Sequence, residues 1–153
     1  MKDATDPLPT GAPTVLIEFP LPIRWRDLDA FNHVNNSSVL TWLEETRIAW
    51  LARLPGDWTG PAARPVVAAI HVNYRRQIGW PGTALVVLTA GRVGTTSLMI
   101  GHRVVDAANR EILHADGDVV MVWTGPDGRP VPLPDTVRAA VQSPPVGPAV
   151  TSK

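Results

Sequence analysis

The chain has no cysteine, a single tyrosine, two phenylalanines and no excess charge of either sign. Without cysteine there is no disulfide framework, no thiolate metal site and no cysteine nucleophile. Fourteen Lys and Arg balance 14 Asp and Glu. The chain therefore lacks the basic field that non-specific nucleic-acid or membrane-surface binding requires. Long apolar runs are missing too. Stretches such as Ala84–Leu88 and Val119–Trp123 fall far short of the roughly 20 residues of a membrane span. Met1–Pro13 holds one lysine with no apolar stretch behind it, which does not read as a signal peptide. A cytoplasmic protein is expected. The four histidines are scattered, and none sits at His-x-x-x-His spacing, so no metal site is expected. There is no Gly-x-Ser-x-Gly elbow, P-loop or dinucleotide fingerprint, and no cofactor is expected.

What is present suits one packed domain. The length is 153 residues, with 44% hydrophobic and 18% charged side chains. A chain of this size buries roughly 68–70% of its unfolded surface. Proline gathers at the ends, as Pro7, Pro9 and Pro13 and again as Pro144, Pro145 and Pro148. Residues 1–14 and 142–153 read as flexible tails around a single domain at 15–141.

From Val15 to Trp25 the odd positions are Val15, Ile17, Phe19, Leu21, Ile23 and Trp25. That period of two predicts a half-buried strand. Pro20 and Pro22 lack ladder donors and place part of it at an edge. Asn35–Leu54 has helical spacing. Val39, Leu40, Leu43, Trp50, Leu51 and Leu54 fall within about 120° of one another, with Trp42, Ile48 and Ala49 off that stripe. Ser37, Ser38 or the asparagines before them offer capping oxygens. Four strand-like segments follow at Val66–Arg76, Thr83–Val93, Thr96–Asp106 and Glu111–Thr124. Pro134–Val141 suits a short terminal helix. The order predicts an α+β domain: a five-stranded antiparallel sheet wrapped over one long helix. Apolar sheet surface beyond that helix then meets another subunit.

The densest polar cluster runs from Arg24 to Asn36, between the first strand and the helix. A helix start presents unpaired N–H groups and partial positive charge. Such donors hold a developing oxyanion in acyl transfer, and a carboxylate just upstream can act as base or nucleophile. The same residues are also good turn and cap formers. Glu44 and Glu45 offer a rival carboxylate on the helix, although Glu44 is also spaced to pair with Arg47. Arg47 falls inside the apolar stripe and needs a partner if buried. His71, His102 and His114 lie on expected strands and read as structural.

The order of these residues resembles a known family. Asp27-Leu28-Asp29, Asn32-His33-Val34-Asn35-Asn36 and Leu43-Glu44-Glu45-Thr46-Arg47 are similar to hotdog-fold acyl-CoA thioesterases of the hydroxybenzoyl-CoA thioesterase type. Val72-Asn73-Tyr74-Arg75-Arg76, Gly94-Thr95-Thr96-Ser97, Val120–Trp123 and Gly128–Pro134 extend the likeness to Val15–Val141. The resemblance implies a hotdog homodimer or dimer of dimers acting on an acyl-CoA or acyl-carrier thioester. It implies Asp29 as catalytic acid residue and a backbone N–H near Asn36 as oxyanion donor. His33, Asn35, Arg75, Arg76, Arg92, Thr96 and Ser97 are the expected substrate contacts. Two departures stand out. Asn32 replaces a glycine of many relatives, and asparagine tolerates left-handed backbone angles. The Gly94-Thr95-Thr96 turn carries none of the basic residues that hold coenzyme A phosphates in some relatives. Thioesters on a carrier protein therefore stand as an alternative. A non-catalytic acyl-thioester binder is another, and a dehydratase of the same fold ranks behind both.

Overall fold

The computed structural model describes residues 12–56, 58 and 60–143. The element order is β1 (Val15–Pro22), a 3-10 turn (Trp25–Asp27), α1 (Asn36–Leu51), β2 (Arg64–Tyr74), β3 (Thr83–Val93), β4 (Ser97–Asp106), β5 (Leu113–Thr124) and α2 (Asp135–Gln142). The strands form one antiparallel sheet in the order β1-β3-β4-β5-β2. The expected tails lie largely outside the described residues.

Alternation is clearest in β4 and β5, while β3 buries Ala84, Leu85 and Val86 in succession and β2 fully buries none of its residues. Val86 and Leu88 of β3, Leu98, Ile100, His102 and Val104 of β4, and Val119 and Trp123 of β5 turn inward. They meet Val39, Trp42, Leu43, Trp50 and Leu51 of α1, and Val137 and Val141 of α2 complete the core. Both edge strands carry the signal expected of them. β1 holds Pro20 and Pro22 where ladder donors are dispensable. Among the described residues β2 pairs only with β5, with a bulge between Val67 and Ala69.

Three expectations need correcting. The first strand stops at Pro22, and Trp25 is 69% exposed instead of lying on a buried face. The Asp27 carboxylate accepts the Arg24 backbone N–H at 2.7 Å and bends the chain into the 3-10 turn. Second, α1 ends at Leu51, and Arg53 and Leu54 close short turns onto Trp50 and Leu51. Third, its buried arc is rotated from the expected one. Trp42 and Thr46 are buried while Leu40 and Ile48 are exposed. The sheet determines that rotation, because α1 rests against β1 and β3.

Arg47 is buried as its position implied, at 6% exposure, yet it makes no ion pair with Glu44. Its Nη1 has no hydrogen-bond partner among the described residues. Across the core His102 is also buried. The His71 carbonyl is near its ring, but neither ring nitrogen meets hydrogen-bond geometry. Burial first, and the Arg47 charge second, lower the His102 pKa from 6.5 to about 4. The unfolded chain therefore takes up a proton between these values while the native protein does not. Stability attributable to His102 is full above pH 6.5 and is lost as pH falls toward about 4. The loss amounts to about 3 kcal/mol. Urea midpoints measured from neutral pH down to about pH 4 should fall, and His102→Leu should flatten that slope. An unchanged slope in the variant would assign the acid sensitivity elsewhere.

Candidate active site

The site is built where β1 hands over to α1. Leu28 and Val34 form an isolated antiparallel bridge, and the loop between them turns at Asn32 with φ +60°. Asparagine meets that left-handed angle where the resemblance calls for glycine. The Asp29 N–H donates to the His33 carbonyl at 3.0 Å, and the Asn32 N–H donates to the Asp29 carbonyl at 3.0 Å. The loop is thereby closed on itself before the helix begins.

The two acids of Asp27-Leu28-Asp29 do different things. Asp27 is buried, and its carboxylate is taken up by the Arg24 backbone and guanidinium. Asp29 is half-buried and turns the other way. Its Oδ1 accepts the Phe31 N–H at 2.9 Å, and its Oδ2 accepts the Asn35 amide at 3.1 Å. Each oxygen keeps a further lone pair. Asn35 is the N-cap of α1. Its Oδ1 accepts the Ser37 N–H at 2.8 Å, while the Ser38 and Val39 N–H groups reach the Asn35 carbonyl. In this first turn the Asn36 N–H is the one donor without an acceptor among the described residues. An unpaired N–H at a helix start is suited to a developing negative charge.

Asp29, His33, Asn35, Asn36, Arg75 and Arg76 line one cavity of about 410 Å³. Six of the nine expected site residues thus come together. Arg92, Thr96 and Ser97 do not. They sit at the other end of β3 and β4, about 30 Å away along the strands. Nor is Arg75 a spare cation. It grips Asp116 at 3.1 Å, and together with Asn73 it holds that carboxyl below its ordinary range. Glu44 and Glu45 border a separate groove with Phe19 and Ile48, so the rival helix carboxylates do not face this cavity.

The structure adds residues that were not among the expected site residues. Tyr74 lines the cavity and its hydroxyl donates to the Asn36 carbonyl at 3.2 Å; burial raises its pKa. His114 also lines it, with Nδ1 3.3 Å from the Arg76 carbonyl. Pairing of Tyr74 with Ala115 brings β2 and β5 to the helix start. The Gly94–Ser97 turn has a basic neighbour after all. Arg138 of α2 donates to the Gly94 carbonyl at 2.9 Å and the Thr95 carbonyl at 3.3 Å.

The sequence profile of the thioesterase-like superfamily matches residues 23–141. The chain belongs to that superfamily. Among solved structures, it is similar to the PA2801 protein of Pseudomonas aeruginosa, provisionally described as a thioesterase. That match is 36% identical, covers 84% of this chain and 99% of the other, and has a TM-score of 0.79. A protein provisionally described as an acyl-CoA thioesterase from Xanthomonas campestris is 42% identical, over 72% of this chain and 93% of its own, with TM-score 0.68. A Thermus thermophilus thioesterase in complex with coenzyme A and zinc is 32% identical, over 86% and 100%, with TM-score 0.72. None of the curated proteins matches the chain. Family and fold together make this superfamily member a thioester hydrolase.

The contrasting environments of the two acids yield a test. Asp27→Asn removes a charge that is already neutralised by Arg24, so it should lower stability by about 1–2 kcal/mol and leave turnover little changed. Urea unfolding and initial rates on the same preparation check this. A collapse of turnover with unaltered stability would exchange the roles of Asp27 and Asp29.

Proposed function

We propose that this thioester hydrolase cleaves an acyl-CoA at the Asp29 cavity. The observation that carries the proposal is the placing of a half-buried carboxylate and an unpaired helix N–H on one cavity wall, joined by Asn35. The thioester carbonyl lies against the Asn36 N–H. Asp29 then either adds to the carbonyl carbon or takes a proton from an attacking water. In both cases negative charge gathers on the carbonyl oxygen, and the N–H stabilises it. The C–S bond breaks: on the water route Asp29 returns its proton and coenzyme A leaves as the thiol beside the free acid, whereas on the nucleophilic route coenzyme A leaves as the thiolate and water then hydrolyses the acyl–Asp29 anhydride to the free acid. Coenzyme A bound in the Thermus thermophilus thioesterase supports this choice of carrier.

The assembly belongs to the proposal. β2 is an edge strand whose Val66, Val67, Ile70 and Tyr74 are all exposed. An unpaired, largely apolar edge invites a second copy. Antiparallel pairing of two β2 edges sets the partner's Arg64 end beside this chain's Tyr74 end. Within one chain the Thr96–Ser97 turn lies at the Arg64 end of the sheet. Pairing therefore carries the partner's turn to the same end of the assembly as Asp29. Such a dimer would unite the substrate contacts that one chain keeps apart.

Two measurements test these statements. Asp29→Asn keeps shape and hydrogen bonding but loses the charge, so turnover of an acyl-CoA should fall by about 10²-fold or more. Glu44→Gln should have a mild effect. Loss of activity in Glu44→Gln with activity retained in Asp29→Asn would place the chemistry on the helix instead. Light scattering should give at least a dimer, and a lysine placed at Val67 should shift it toward monomer. A stable 16.5 kDa wild-type species at micromolar concentration would refute the β2 pairing.

A further inference from the structure

Trp25 and Trp80 form a surface feature that the chemistry above leaves unused. Trp42, Trp50 and Trp123 are buried in the core, whereas Trp25 is 69% and Trp80 50% exposed. Their rings meet edge to face, with centroids 5.5 Å apart and planes at 86°. One indole braces the other, and open ring surface is left facing solvent. Both are carried on pinned backbone. Trp25 opens the 3-10 turn that Arg24 and buried Asp27 clamp at both ends. Trp80 lies between Ile78, whose carbonyl accepts the Val34 N–H at 2.8 Å, and Gly82, whose carbonyl accepts the Ile23 N–H at 2.9 Å. A rigid aromatic platform loses little entropy when a flat ligand stacks on it.

The platform is close to the cavity along the chain, although neither tryptophan lines it. Arg76, Gln77 and Ile78 line the cavity wall, and Trp80 follows two residues later, within about 7 Å of backbone. Arg26 beside Trp25 and Arg76 at the cavity are both exposed, and neither forms an ion pair among the described residues. The nearby acids are occupied, Asp27 with Arg24 and Asp29 with Phe31 and Asn35. Aromatic faces with unpaired arginines nearby in the chain suit a purine nucleotide: the base stacks and the phosphates meet the arginines. Arg138, by contrast, already serves two carbonyls at the far end of the sheet.

We propose that Trp25 and Trp80, with Arg26 and Arg76, form the subsite for the adenine nucleotide end of the coenzyme thioester. This rests on the Asp29 reading for the position of the reacting end. The pantetheine arm then runs from the platform past Ile78 into the cavity.

The test separates the two claims. Adenosine 3′,5′-bisphosphate, which carries the nucleotide but no thioester, is titrated into the full chain by calorimetry. Wild type should bind it, and Trp25→Ala and Trp80→Ala should each weaken binding about tenfold. In parallel, acyl-CoA is compared with the same acyl group on N-acetylcysteamine, which lacks the nucleotide. The preference in kcat/KM for acyl-CoA should collapse in the tryptophan variants and in Arg26→Ser with Arg76→Ser. Nucleotide binding that depends on the tryptophans, without any turnover in wild type, would support the subsite and overturn the hydrolase site. No nucleotide binding by wild type would overturn the subsite, as would unchanged binding in folded variants. Turnover of a carrier-protein thioester with none of acyl-CoA would also overturn it, and thioester hydrolysis would stand. A shift to monomer in the tryptophan variants would assign the pair to a subunit interface and likewise overturn it.

Discussion

The Asn35 side chain joins the two halves of the site. Its oxygen accepts the Ser37 N–H and hydroxyl, which starts α1, and its nitrogen donates to Asp29 Oδ2. One amide therefore fixes the direction of the helix and the orientation of the carboxylate together. Because the cap consumes the Ser37 N–H and the next two bond to the Asn35 carbonyl, the Asn36 N–H is left over. The open donor follows from good capping, not from a defect in the helix. The loop between Leu28 and Val34 supports this arrangement, and Val34 in turn hangs on the Ile78 carbonyl. The segment after β2 thus supports the same geometry from outside.

Two acids two residues apart differ in burial and in the partners that hold them. Asp27 spends its charge on Arg24 and shapes the turn. Asp29, half-buried and held by two neutral donors, retains lone pairs toward the cavity. A charged partner at Asp29 would have tied its carboxylate as firmly as Asp27 is tied. Neutral donors orient a carboxylate without neutralising it.

Elsewhere the fold tolerates unmet needs. Arg47 and His102 are both buried with nitrogens that find no partner among the described residues, a costly arrangement in an apolar interior. The β2 edge leaves four large side chains, three of them aliphatic, in solvent. A second subunit along β2 would cover the exposed edge and complete the sheet.

Local order in the sequence was enough for much of this. The strand-like segment expected at Thr83–Val93 is β3, with the bounds it has in the structure, and the prolines of β1 marked an edge. The order Asp29, Asn35, Asn36 pointed to the helix start, because capping is a matter of a few neighbouring residues. Tyr74, His114 and Ile78 were not legible as site residues. They reach the cavity only through the register that sets Tyr74 opposite Ala115 and through the bond of Val34 to Ile78. Arg138 likewise meets the Gly94 turn from 44 residues away. Trp25 fitted the alternation of a strand, yet a carboxylate two positions on turned the chain before it could join the sheet. Side-chain period and capping depend on neighbours along the chain, so the sequence displays them directly. Strand register and the rotation of α1 depend on how distant apolar faces pack, and only the tertiary structure decides them.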